Sequence, residues 1–100
     1  MHTHGICITY RYDGDEARWA ETIARFVSAA GSDPALQGKF SYTVHKGKDG
    51  ASRVHVGRWD SPETVAALQS TDYFKAFAAA LKDMAGDSLQ TTPFALTHTT

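Results

Sequence analysis

The sequence predicts an α+β domain in which four strands and two helical regions follow one another in the order β-α-β-β-α-β. Three observations predict it. Apolar and polar residues alternate over Ile6–Tyr12, an Asp49-Gly50 turn signal separates two further β-rich runs, and two stretches carry apolar residues every three or four positions. That order is ferredoxin-like: a four-stranded antiparallel sheet with both helices on one face.

The first strand, ICITYRY, puts Ile6, Ile8, Tyr10 and Tyr12 on one face and Cys7, Thr9 and Arg11 on the other. Asp13-Gly14-Asp15-Glu16 stops it, and Asp13 with Glu16 has the spacing of a capping box that opens a helix. Trp19, Ile23, Phe26, Val27 and Ala30 form the apolar stripe of that helix, with Gly31 as its terminator. After a connector at 32–38, the runs KFSYTVHK (39–46) and RVHVGRW (53–59) read as a hairpin around Gly47-Lys48-Asp49-Gly50. A two-residue turn pairs Val44 with His55 and Phe40 with Trp59; a three-residue turn pairs His45 with His55, and both registers stay open at this level.

Ser61-Pro62-Glu63 begins a second helical region: Ser as cap, Pro at the first helical position, Glu on the positive end of the dipole. Val65, Leu68, Phe74, Phe77, Leu81 and Met84 carry its apolar face, a new cap at Thr71-Asp72 predicts a break near Ser70, and Gly86 ends it. The tail 91–99 is the fourth strand, placed at an edge because Pro93 has no amide for a ladder. His2-Thr3-His4 reads as a mobile terminus.

One hundred residues describe a single domain, 1–100. Fifteen of the forty-two hydrophobic residues are Ala, so only twenty Ile, Leu, Val, Met and Phe build the core. A core that modest favours sharing an apolar face, and strands apolar on both sides leave the helix-free face to be covered by a second copy; a homodimer through sheet faces is expected. A net charge of −1 with ten scattered cations provides no field for nucleic acid. No apolar run spans a bilayer and no leader pattern opens the chain, so no membrane and a cytoplasmic location are expected. One cysteine, Cys7, excludes an intrachain disulfide and a multi-cysteine metal site.

The segment Val56-Gly57-Arg58-Trp59-Asp60-Ser61-Pro62-Glu63-Thr64, followed by Ser70-Thr71-Asp72-Tyr73-Phe74, resembles the antibiotic-biosynthesis monooxygenase-like superfamily of dimeric α/β barrels, whose members show a strand ending in Trp, a small polar cap, an acidic residue and an aromatic on the next helix. With the order of elements, the resemblance covers nearly the whole chain. It implies a dimeric barrel, and it spans cofactor-free oxygenases, haem-degrading enzymes, isomerases and proteins without known activity. Haem degraders of this type use an Asn on strand one and a Trp and His in the second helical region. Here strand one has no Asn, and Leu68 and Ala78 fall where the Trp and His would stand, which disfavours haem. The resemblance implies instead cofactor-free oxygenation of a phenol or quinol, with no cofactor and no metal. A small hydrophobic or aromatic ligand then needs a dry pocket of about 300 Å³ or more, with a base, an oxyanion donor and aromatic walls.

His55 and Trp59 share a strand face, with Gly57 between them leaving room for a ligand. His55 and Tyr10 are the candidate proton-handling residues; Trp59 and Tyr42 are candidate walls. His45 joins His55 in the three-residue register, and two histidines without a third ligand make a poor metal site. Trp19, Phe74 and Phe77 stand at helical spacing on inner faces, where they pack the core and are candidates to line a cavity. Arg11 and Arg58 are candidates to pair with a carboxylate or enolate, although strand arginines are also common in solvated rim ion pairs. No nucleophile arrangement, carboxylate pair or phosphate-binding glycine loop is recognisable, which leaves hydrolase and kinase chemistry unsupported.

Overall fold

A computed structural model describes residues 2–100. Strand β1 is His4–Arg11, helix α1 Glu16–Gly31, β2 Phe40–Lys46, β3 Ser52–Trp59, α2 Pro62–Gln69, α3 Asp72–Ala85 and β4 Gln90–Ala95. Short 3₁₀ turns at Pro34–Leu36 and Gly86–Ser88 join them. The sheet runs β2-β3-β1-β4 with every neighbouring pair antiparallel, the ferredoxin-like arrangement expected.

The hairpin register pairs Val44 with His55 and Phe40 with Trp59, the pairing of the shorter turn. The bend itself is longer: the last ladder bond is Gly47 N to Ser52 O at 2.7 Å, with 48–51 outside it. Asp49 organises these residues by accepting from the amides of Ala51 and Ser52 at 2.9 and 2.8 Å, and Gly50 supplies the required positive φ of 85°.

Several expectations need correction. Helix α1 is capped by Asp15, which accepts from Ala17 N, and not by an Asp13–Glu16 box; Glu16 turns away to bind Arg53. The helix runs through Gly31 and closes on Ser32, whose amide reaches the carbonyls of Ser28 and Ala29. Val27 falls beside the buried stripe and is 42% exposed. Ser61 makes no side-chain cap bond. The break at Ser70 and the Thr71 cap, accepting from Phe74 N, occur where expected. β4 begins one residue earlier and ends four sooner than expected, with Pro93 opposite Ile6 on the edge strand. His4 belongs to β1 and His2 Nε2 contacts Gly38 O at 3.1 Å, so 2–4 are tied down; Met1 lies outside the described residues.

The core fills the space between sheet and helices, with Tyr10, Ile23, Phe26, Leu68, Phe77 and Leu81 at its centre. Burying these side chains is the main favourable term of the fold, about 1.5–3 kcal/mol for each large one. Phe26 and Phe77 stack at 4.0 Å and lock α1 to α3. The outward sheet face is mixed rather than apolar: Val54, Val56 and Phe94 are half-buried, while Ser41, Thr43, His45 and Arg58 are exposed.

Candidate functional site

Strand alternation puts Arg53, His55, Gly57 and Trp59 of β3 on the helix-facing side, beside Tyr10 of β1 and Tyr42 of β2. His55 has no exposed surface. Its Nε2 lies 2.8 Å from Tyr10 Oη and its Nδ1 2.7 Å from Tyr42 Oη. Trp19 Nε1 donates to Tyr10 Oη at 2.8 Å. Four side chains from three strands and one helix thus form one continuous hydrogen-bonded chain, and among the described residues no buried side-chain polar atom lacks a partner.

Gly57 is the reason Tyr42 reaches His55. A Cβ at that position would stand 3.1 and 3.3 Å from Cδ1 and Cε1 of Tyr42, so the room left by the glycine is occupied by the tyrosine ring lying across β3.

The charge state of the site follows from burial. Desolvation, with His45 as a lesser cause, pulls the His55 pKa down to about 4, so the imidazole is neutral at pH 7. Burial pushes Tyr42 well above the ordinary tyrosine range, helped by Tyr10. It also raises Tyr10, where desolvation outweighs the opposing hydrogen bond from Trp19 and the charge of Arg53. Both phenols are therefore protonated at neutral pH.

Beyond Tyr10 stands a fully buried cation that the sequence reading did not single out. Arg53 has no exposed surface, and its guanidinium lies 4.2 Å over the Trp19 ring. It donates to the carbonyls of Tyr12 and Gly50 at 3.2 and 3.1 Å and forms a two-pronged ion pair with Glu16. The signal available in the sequence was parity: Arg53 is two residues before His55 and must share its face.

Next to this chain is a cavity of about 130 Å³ between sheet and helices. Tyr42, Gly57, Trp59, Leu68, Phe74 and Phe77 are among its walls. It is smaller than the pocket of about 300 Å³ that the sequence reading required. It is close to the ~150 Å³ apolar cavity that accepts benzene in an engineered protein. Of the sequence-predicted residues, Tyr42, Trp59, Phe74 and Phe77 border it. His55, Tyr10 and Trp19 do not; they meet it through Tyr42. His45 stands on the outward face, exposed, with Nε2 3.0 Å from Thr43 Oγ1, because the Val44–His55 register points its neighbour away. Arg58 also faces outward, against Phe94, and Arg11 pairs with Asp49 at the hairpin. No group of three or more His, Cys, Asp or Glu gathers among the described residues, and no helix of those residues is long and apolar enough to cross a membrane.

Solved structures share this fold over nearly their whole length. A cofactor-independent oxygenase from Streptomyces nogalater, SnoaB, is 17% identical, with 99% of this chain and 97% of that one covered and a TM-score of 0.78. An antibiotic biosynthesis monooxygenase is 7% identical, covering 95% and 99%, with a TM-score of 0.75. A conserved protein from Methanosarcina mazei Go1 is 9% identical, covering 97% and 95%, with a TM-score of 0.79. Neither a protein-family model nor a curated protein sequence matches the chain. At these identities the likeness establishes the fold, and the resemblance read from 56–64 and 70–74 holds at that level.

Proposed function

We propose, from a fold shared with cofactor-independent and antibiotic-biosynthesis-type monooxygenases, that this chain is a cofactor-free monooxygenase-like protein acting on a single-ring phenol or quinone-like molecule. The observation that carries the reading is the wall of the cavity, an apolar space against which Tyr42 stands with a buried hydrogen-bonded chain behind it. A volume of about 130 Å³ suits one aromatic ring, with Trp59, Phe74 and Phe77 against its faces and edges.

The electron-rich form of a phenol is its phenolate, and a hydrogen bond from a group held in a dry site stabilises that anion. The bound ring then reduces O₂: one oxygen atom bonds to a ring carbon in place of its hydrogen, the other leaves as water carrying that hydrogen and the proton the phenol gave up to solvent, and the ring becomes a quinone. The substrate is its own reductant, so phenol plus O₂ gives quinone plus water. In this reading Tyr42 touches the substrate, while His55 and Tyr10 are positioning residues behind it.

The protein is further proposed to work as a homodimer through the outward sheet face, where Val54, Val56 and Phe94 are half-buried within the single chain. One cysteine accords with a reducing compartment, the cytoplasm.

Oxygen consumption in the presence of a metal chelator tests the reading. Single-ring phenols should give substrate-dependent uptake and a quinone product. That uptake should fall about 100-fold in Tyr42→Phe and His55→Ala proteins that keep the wild-type circular dichroism spectrum. Uptake unchanged in both variants would remove this chain of residues from the mechanism. The small cavity also favours a second reading, a binding module that takes the same rings without turning them over; detection of a product rejects it.

A further inference from the structure

The two hydroxyls beside His55 are not equivalent, and Trp19 is what separates them. An indole N–H can only donate, so its 2.8 Å contact occupies a lone pair of Tyr10 Oη. Tyr10 is 3% exposed, and among the described residues its oxygen has two partners, Trp19 and His55 Nε2. The hydrogen of Tyr10 therefore has one acceptor, His55 Nε2. If Nε2 carried the hydrogen instead, the Tyr10 hydrogen would be buried with no acceptor, the costly condition for a polar group. With Nε2 accepting, the neutral imidazole carries its single hydrogen on Nδ1, which faces Tyr42 Oη at 2.7 Å. Tyr42 Oη has no other partner among the described residues, so its own hydrogen is left over; Tyr42 is half-buried where Tyr10 is almost fully buried, so the unpaired hydrogen falls on the more accessible of the two hydroxyls. Of the four side chains in the chain, Tyr42 is the one that borders the cavity.

We infer that the chain runs in one direction, from Trp19 through Tyr10 and His55 to Tyr42, and that it makes the Tyr42 hydroxyl a hydrogen-bond donor to an acceptor oxygen in the cavity. The ligand class this selects is a ketone or quinone carbonyl, or the oxygen anion of a phenolate or enolate. The inference rests on reading the cavity as the ligand site. It changes the part expected of His55. The bare nitrogen of its imidazole faces Tyr10, on the side away from Tyr42, so His55 polarises Tyr42 and is not the base that takes a substrate proton. A phenol entering this site binds through its oxygen as acceptor, which favours its anion. Arg53 is the positioning residue at the head of the chain: clamped by Glu16 and the backbone carbonyls of Tyr12, Gly50 and Ala51, it fixes the indole whose N–H sets the direction.

Nitrogen-15 NMR of the ligand-free protein at pH 7 reads the His55 tautomer directly, its signals assigned by their loss in His55→Gln. The expected result is a protonated Nδ1 and a bare Nε2. In Trp19→Phe, which keeps a ring under Arg53 but has no N–H, the Nε2-protonated tautomer should rise. A protonated Nε2 in the wild-type protein overturns the inference whatever binds. Acetophenone and toluene, one ring each and differing by a carbonyl, then test the donor. Bound acetophenone should show a carbonyl infrared band at lower frequency than in hydrocarbon, and its affinity relative to toluene should fall roughly tenfold in Tyr42→Phe. An unshifted band with an unchanged ratio overturns the donor role. Failure of both probes to bind, with Nδ1 protonated, overturns the cavity as a ligand site and the donor role with it.

Discussion

The Tyr42 hydroxyl lies 2.7 Å from His55 Nδ1, and Tyr42, unlike His55, borders the cavity. This contact couples a neutral, fully buried imidazole to the cavity of about 130 Å³ between sheet and helices. Its loss should be measurable in stability. Tyr42→Phe leaves a buried ring nitrogen without a partner, and urea denaturation should show a loss of about 1–3 kcal/mol. A change below about 0.5 kcal/mol would mean that the imidazole finds another partner.

Acid should destabilise the protein earlier than its carboxylates do. His55 has a native pKa of about 4 against an ordinary value of 6.5. As pH falls below 6.5 the unfolded state gains a proton that the native state does not bind. Stability should therefore drop between pH 6.5 and about 4, by roughly 3 kcal/mol in all, and this contribution levels off below. The carboxylates of Glu16 and Asp49 are held below their ordinary values, so their share is present at higher pH and is lost only at the acid end. Urea titrations at pH 7 and pH 5 should show the slope in the wild-type protein and a flatter one in His55→Gln.

Two ion pairs on this protein should behave differently. Arg18–Asp83, at 2.8 Å, joins two exposed side chains, and Asp83→Asn should change stability by less than about 0.5 kcal/mol. Arg53 is buried, so Glu16→Gln leaves a desolvated cation with a weaker partner and should lower the urea midpoint clearly more than Asp83→Asn does in the same assay.

Gly57→Ala should act on the site more than on the fold. The new Cβ would stand 3.1 Å from the Tyr42 ring, tighter than ordinary contact, and the ring is expected to shift away to relieve it. Overpacking of this kind costs about 1–3 kcal/mol. The distinctive result is a shifted His55 Nδ1–H signal, since the hydroxyl above it moves; an unshifted signal would show that the strand yields instead of the ring.

How much of this was legible in the sequence depends on whether a feature is set by pattern or by packing. The β-α-β-β-α-β order follows from periodicity, and the Thr71 break follows from cap chemistry, so both were readable. The hairpin register was narrowed to two, because Asp49-Gly50 fixes the turn's position but not its length. Helical spacing offers Trp19 as core packing or as a cavity wall and is blind to where an indole N–H points. A charged residue in a strand ordinarily belongs to an exposed position, so only its parity with His55 marks Arg53 in the sequence. Gly57 was assigned to a ligand's space, whereas a ring two strand positions from Val44 fills it, a matter of side-chain direction that no spacing encodes. The cavity's volume is what packing leaves over, and it came out smaller than the chemistry alone suggested.

A crystal structure of the protein grown with phenol shows whether Tyr42 presents a polar contact to a one-ring ligand in this cavity. The ring should lie between sheet and helices beside Trp59 and Phe77, with its oxygen about 2.6–3.0 Å from Tyr42 Oη. A cavity closed by rearranged aromatic side chains, or phenol bound elsewhere with Tyr42 untouched, would contradict that contact.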